Sequence, residues 1–239
     1  FTGSYHGHVL GSDLIGGTST STNWCNFKDK EIWFLPFPKK GDELDLNDLP
    51  PLDEIAAFFL ETYQGWGAWM YPQKYIDKLY KTSRDNNILF CFDEVQSGFY
   101  RMGELYGYMT YGDYKPDIIT LGKGLTSSLP LSALLSTKDI IDLDSSVNLS
   151  GSQAGNAICC SAGLANLKFL TDKTFQKDFQ KRVKLFERLN KELEHEDGVD
   201  VVNVKGMVSA IIVKDGDMGD YVTKRCVNNG VLPVWTKRE

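Results

Sequence analysis

One amine and one carboxylate stand out by where they fall in the chain. Lys123 lies between two glycines, in Gly122-Lys123-Gly124, directly after the apolar run Ile118-Ile119-Thr120-Leu121. Asp93 follows a second run, Ile88-Leu89-Phe90-Cys91-Phe92, and opens Asp93-Glu94-Val95-Gln96-Ser97-Gly98. A lysine amine can condense with an aldehyde to form a Schiff base. A carboxylate can hold a pyridine nitrogen in its protonated form. The pair therefore suits pyridoxal 5'-phosphate.

The elements that must place this pair can be read from the same stretch. Both apolar runs have the length and the β-branched or aromatic content of buried strands. Ile55 to Leu60, ending at Glu61, reads as another. Between them, Pro72 to Asn86 carries Tyr75, Ile76, Leu79 and Tyr80 on one face and predicts a helix with Pro72 at its first turn. Strand, helix and strand in that order form a parallel crossover unit. Ligands of open α/β sheets bind past the C-terminal strand ends, where Asp93 and Lys123 fall.

The ordered set around the pair carries a resemblance. It comprises Asp93-Glu94-Val95-Gln96-Ser97-Gly98-Phe99-Tyr100-Arg101-Met102-Gly103, Lys115-Pro116-Asp117-Ile118-Ile119, Gly122-Lys123-Gly124-Leu125 and Leu129-Pro130-Leu131-Ser132-Ala133. In content, order and the 30-residue acid-to-lysine spacing it resembles the class III aminotransferases, pyridoxal-phosphate enzymes of fold type I. The resemblance implies that Lys123 forms the Schiff base and later carries the proton. It implies that Asp93 holds the pyridinium and that Gln96 hydrogen-bonds the cofactor's phenolic oxygen. Tyr5, in Tyr5-His6-Gly7, is expected to stack on the cofactor ring, with His6 lining the pocket. Ser152, in Ser150-Gly151-Ser152-Gln153-Ala154-Gly155-Asn156, matches the residue that reaches the phosphate of the neighbouring subunit, which implies a homodimer with shared sites. Glu94 has no comparable role beyond orienting its loop, and Arg101 is read as structural.

The chain departs from the family pattern in places. Glu61-Thr62-Tyr63-Gln64-Gly65-Trp66-Gly67 carries Thr62 where the pattern has proline. Trp66 stands where some members have a glutamate that pairs with a mobile arginine. Glu61 and Trp66 are candidates for the substrate pocket, although Trp66 and Trp69 packing the loop is as good a reading. Ala157 replaces the proline of the usual Gly-Asn-Pro, and Asn156 is equally a helix N-cap. The implied activity is transfer of an amino group from an amine or amino acid to a keto acid or aldehyde. Two other readings stay open: an aminomutase or epimerase of the same fold, and an inactive fragment serving as an interaction domain.

Composition bounds the rest. The chain has 239 residues, 42% hydrophobic and 24% charged, with a formal net charge of -6. That balance fits a globular domain and argues against nucleic acid, whose phosphates need a basic surface. No apolar run approaches the ~20 residues of a membrane span. The five cysteines, Cys25, Cys91, Cys159, Cys160 and Cys226, form no CxxC, which points to free thiols in a reducing cytoplasm. No metal pattern joins them to His6, His8 and His195.

Residues 1 to 54 read as loop-rich, including the polar stretch Ser19 to Asn23. Leu131 to Ser136 predicts a short strand, and Asn156 to Leu170 a helix. Lys173 to Glu196 predicts a long amphipathic helix. Val199 to Val204 and Val208 to Val213 predict two strands, Gly219 to Asn228 a last helix, and Val231 to Trp235 a last strand. The fold expected is α/β: a pyridoxal-phosphate-transferase-like large domain with a mainly parallel sheet over residues 1–165. An incomplete smaller α+β domain follows over 166–239. The first methionine is Met70, and the family's early Gly-Ser phosphate signature and its C-terminal segment are missing from the pattern. The expectation is an internal fragment of a longer enzyme.

Overall fold

The structure, a computed structural model, describes residues 1–18, 31–144, 146–147 and 150–236. Cys25 and the stretch Ser19 to Asn23 lie outside them. In chain order the regular elements begin with α1 (Leu10–Ile15), β1 (Ala57–Glu61), and the short strands β2 (Tyr63–Gln64) and β3 (Trp69–Met70). Next come α2 (Gln73–Asp85), β4 (Leu89–Asp93), β5 (Ile118–Leu121), β6 (Ala133–Ser136) and α3 (Lys138–Ile141). The chain continues through α4 (Ala157–Leu170), α5 (Lys173–Glu192), β7 (Val199–Lys205), β8 (Val208–Val213) and α6 (Gly216–Asn228).

The central sheet has the order β1-β4-β5-β6. The first two pairings are parallel and the last is antiparallel. Side chains alternate across a strand, so one face of β4 takes Phe90 and Phe92 into the core while Cys91 and Asp93 face the other way. Leu60, Ile76 and Leu79 join those two phenylalanines in one cluster. Helix α2 supplies Ile76 and Leu79 from its apolar stripe, and Arg84 near its end pairs with Asp117 just before β5. Asp117 also accepts the Phe90 N–H (2.7 Å), which joins helix, β4 and the entry of β5.

Register decides what reaches the C-terminal edge. Glu61 pairs with Asp93, and Asp93 with Thr120. The period of two puts all three side chains on the same face, so the edge carries a polar row across three adjacent strands.

Residues 157–236 are organised differently. Helices α4 and α5 run one after the other, and β7 and β8 form an antiparallel hairpin through Gly206 at φ 62°. The α5 stripe buries Val183 and half-buries Phe175, Phe179 and Phe186. That helix stops at Glu192 and tightens into a 3-10 turn over Leu193–His195, short of the expected Glu196. Val231 to Trp235 makes no strand. Leu232 and Val234 are 85% and 90% exposed, Pro233 offers no N–H to a ladder, and the Trp235 ring packs against Gly219 instead.

Candidate active site

Lys123 opens a 3-10 turn directly after β5, with a backbone φ of 40°. A left-handed conformation at a non-glycine residue is strained and needs support from its surroundings. The support is visible on three sides. A Cβ added to Gly122 would lie 3.2 Å from Val95 Cγ1, and one added to Gly124 would lie 3.2 Å from Phe99 Cβ. Both flanking glycines are therefore places where the Asp93 loop presses on the Lys123 turn. From the third side, Asn166 of α4 donates to the carbonyls of Gly124 (2.7 Å) and Leu125 (3.1 Å). The sequence marks Asn166 only weakly. Its only signal is a polar amide inside the apolar stretch Leu164-Ala165-Asn166-Leu167.

Asp93 is buried, and its carboxylate is held from two directions. His6 Nδ1 donates to Oδ2 (2.7 Å), and the Val95 N–H donates to Oδ1 (3.0 Å). The His6 side chain is itself buried, and its ring meets Phe59 edge-on at 4.7 Å. His6 therefore does more than line a wall: it orients the acid.

Glu61 sits beside Asp93 in the polar row. Its two oxygens accept the N–H groups of Tyr5 (3.1 Å) and Gly65 (3.3 Å). Burial pushes its pKa up to about 7, the two N–H groups pull against that, and the charge of Asp93 adds to the rise. The carboxyl thus pins the Tyr5-His6-Gly7 segment over the strand ends.

These groups converge on one cleft of about 200 Å³, walled by Tyr5, His6, Glu61, Asp93, Gln96 and Lys123 among others. Lys123 and Gln96 are exposed to it, and the Tyr5 ring is 47% exposed, edge-on to His8 at 5.1 Å. A free amine, an oriented carboxylate, an open aromatic ring and an exposed amide in one cleft fit pyridoxal phosphate. Two expected residues lie elsewhere. Trp66 is not in the cleft wall; its indole donates to Gln64 Oε1 (3.0 Å) and meets Trp69 at 6.0 Å. Ser152 is solvent-exposed and outside this cleft, in the turn before α4. Asn156 is the N-cap of that helix, accepting from the N–H groups of Ile158 (3.1 Å) and Cys159 (3.2 Å).

Comparison with known proteins decides the family. The model of the class-III aminotransferases matches residues 1–237. The chain belongs to the class-III aminotransferases. Enzymes of this family depend on pyridoxal phosphate. The chain is 34% identical over 198 residues to acetylornithine aminotransferase of Caldanaerobacter subterraneus, covering 78% of this chain and 49% of that protein. It is 31% identical over 188 residues to isoleucine 2-epimerase of Lentilactobacillus buchneri, covering 70% of this chain and 42% of that one. An aminotransferase structure from Bacillus anthracis shares the fold, with a TM-score of 0.80 at 24% identity over 97% of this chain and 59% of that one. The chain spans about half the length of the curated relatives it matches. Among its described residues, no helix is long and apolar enough to cross a membrane.

Proposed function

We propose that this class-III chain carries the cofactor and proton-transfer machinery of a pyridoxal-phosphate-dependent aminotransferase. The observation that carries the reading is the shared cleft: Lys123 and Asp93 line one cavity at the C-terminal edge of adjacent parallel strands. The bound cofactor would supply an electron sink for the carbon that loses its proton. Asp93, oriented by His6 and the Val95 N–H, would hold the ring nitrogen in its protonated form. Lys123 would anchor the cofactor aldehyde and, once released by the amine, move a proton at the substrate carbon. Tyr5 would cover the ring and exclude water, and Gln96 would hold its phenolic oxygen.

The remaining roles follow the family pattern. Ser152, exposed and away from its own chain's cleft, would serve the phosphate of a second subunit in a homodimer. The partners would be a small amino donor and a keto or aldehyde acceptor. Glu61 and His6 would form part of the substrate wall, with Trp66 reaching it only through a change in the Gly65–Gly67 loop. The large domain would extend to about residue 165, with the smaller one beyond it. Cys91, Cys159, Cys160 and Cys226 are free thiols, which supports a cytoplasmic setting.

The test is Lys123→Ala. The unaltered protein should show a borohydride-reducible linkage to the cofactor and turn over with an amino donor and acceptor. The variant should lose both, with turnover down by at least about a thousandfold, as for removal of a group that acts in both binding and proton transfer. Turnover at the unaltered rate would end the reading. Similarity to an epimerase gives a second reading weight. Inversion of an amino acid at its α-carbon with no keto acceptor present would favour it over transamination.

A further inference from the structure

Glu94 stands next to Asp93 in the chain but behind the cleft in space. It is fully buried, and both its oxygens are saturated with donors. Oε1 accepts from Thr62 Oγ1 (2.6 Å) and the Tyr108 N–H (2.8 Å). Oε2 accepts from Ser97 Oγ (2.8 Å) and the Gly107 N–H (2.7 Å). One carboxyl therefore joins the end of β1, the Asp93 turn and the start of the 3-10 turn Gly107–Thr110. Gly107 has to be glycine for its N–H to come so close. A Cβ there would lie 2.6 Å from Met102 Sδ and 2.8 Å from Ser97 Cβ.

The anchored ends close a loop that bears on the amine. Between Ser97 and Gly107 the backbone carries Phe99 and Tyr100 at φ 58° and 68°, conformations that an unanchored loop would relax. Phe99 is the residue packed on Gly124, beside Lys123. The Glu94 backbone also holds the strand that leads into that turn, its N–H donating to the carbonyl of Thr120 in β5 (2.9 Å). Burial raises the pKa of Glu94, and the four donors pull it back.

We infer that Glu94 is a positioning residue that fixes the Asp93 turn against the Lys123 turn, with the loop through Phe99 as the connecting piece and Thr62 as one of its four donors. Thr62 is a departure of this chain from the family pattern, where proline could not donate. The inference rests on the roles proposed for Asp93 and Lys123. Glutamine is a poor substitute for Glu94. Its amide nitrogen would face the N–H of either Gly107 or Tyr108, because each oxygen accepts from a backbone N–H.

The experiment compares Thr62→Val, Thr62→Ser and Glu94→Gln with the unaltered protein. Hydrogen exchange in the cofactor-free protein is one readout, and visible circular dichroism of added pyridoxal phosphate with kcat and KM is the other. Loss of one hydrogen bond to a charged group should speed exchange at residues 98–108 by about tenfold or more in Thr62→Val. Glu94→Gln should do more, and Thr62→Ser should restore protection. The cofactor's circular dichroism should change, and kcat should fall while KM moves less. Unchanged exchange at 98–108 in Thr62→Val would overturn the inference, even if Glu94→Gln failed to fold. Exchange raised evenly over the whole chain would overturn it too, since that marks general destabilisation. If the unaltered protein bound no pyridoxal phosphate, the proposed function would fall, and the exchange comparison would still read the anchoring itself.

Discussion

Two stretches of the molecule use the same apolar residues to opposite effect. In residues 57–136 strands β1, β4 and β5 with α2 enclose their large hydrophobic side chains, and of the sheet only the edge strand β6 leaves such residues, Leu134 and Leu135, exposed. Leu60, Ile76, Leu79, Phe90 and Phe92 have no exposed surface. In residues 157–236 the buried hydrophobic side chains are few, Leu170, Val183 and Val202 among them, while Ile158 and Phe169 are 72% and 60% exposed. Helix α4 is apolar nearly all round, as in Ala157-Ile158-Cys159-Cys160-Ser161-Ala162-Gly163-Leu164. A helix of that kind is normally covered on every side. The first stretch completes its own core, whereas the second covers only part of its apolar surface, by α4 against the Lys123 turn and by Val208 and Ala210 against Tyr63, Ala68 and Met102. The site draws its rigidity from both, through Phe99 on one side and Asn166 on the other.

The sharpest way to break this comparison is through core truncation. Phe90→Ala should cost about 3–5 kcal/mol in urea denaturation, and Phe169→Ala well under about 1 kcal/mol in the same monomer. Equal costs would show that the second stretch is enclosed after all.

Next in size is the pH dependence set by Glu61. Its folded pKa of about 7 lies above its ordinary 4.5. The folded state thus binds the proton more tightly than the unfolded one. Stability from this group is complete below about pH 4.5 and is lost as pH rises through about 7, by on the order of 3 kcal/mol. Glu61→Gln should flatten that slope in the cofactor-free protein. A slope that survives the substitution would place its origin elsewhere.

Smaller effects separate the supports. Gly124→Ala should cost about 1–3 kcal/mol by pressing on Phe99, and should loosen cofactor binding as well. Asn156→Ala should cost about 1 kcal/mol by uncapping α4 without altering cofactor binding. If both variants changed cofactor binding alike, α4 would be as much a part of the site as the Asp93 loop.

The sequence made some of this plain and hid the rest for physical reasons. β4, β5 and α2 were legible because an apolar run or stripe reports directly which face is buried. Asp93 and Lys123 could be set at one sheet edge from the strands that precede them. What a face packs against is another matter. His6 meets Asp93 across 87 positions of the chain, and Asn166 meets Gly124 across 42. No local pattern encodes such a pairing. The four donors of Glu94 were invisible for the same reason, since three of its partners come from other segments. Val231 to Trp235 has strand-like residues, but a strand exists only with a partner ladder, and none of the described residues supplies one.

The backbone at Lys123 has one more consequence. Its left-handed turn is a conformation that glycine adopts freely and lysine does not. A sequence tuned for durability alone would place glycine there, and Lys123→Gly should melt higher than Lys123→Ala. The lysine is thus a residue the fold tolerates and does not ask for. Improvement by stability screening would tend to drift away from it, so any effort to harden this protein should hold that position fixed and look for its gains elsewhere.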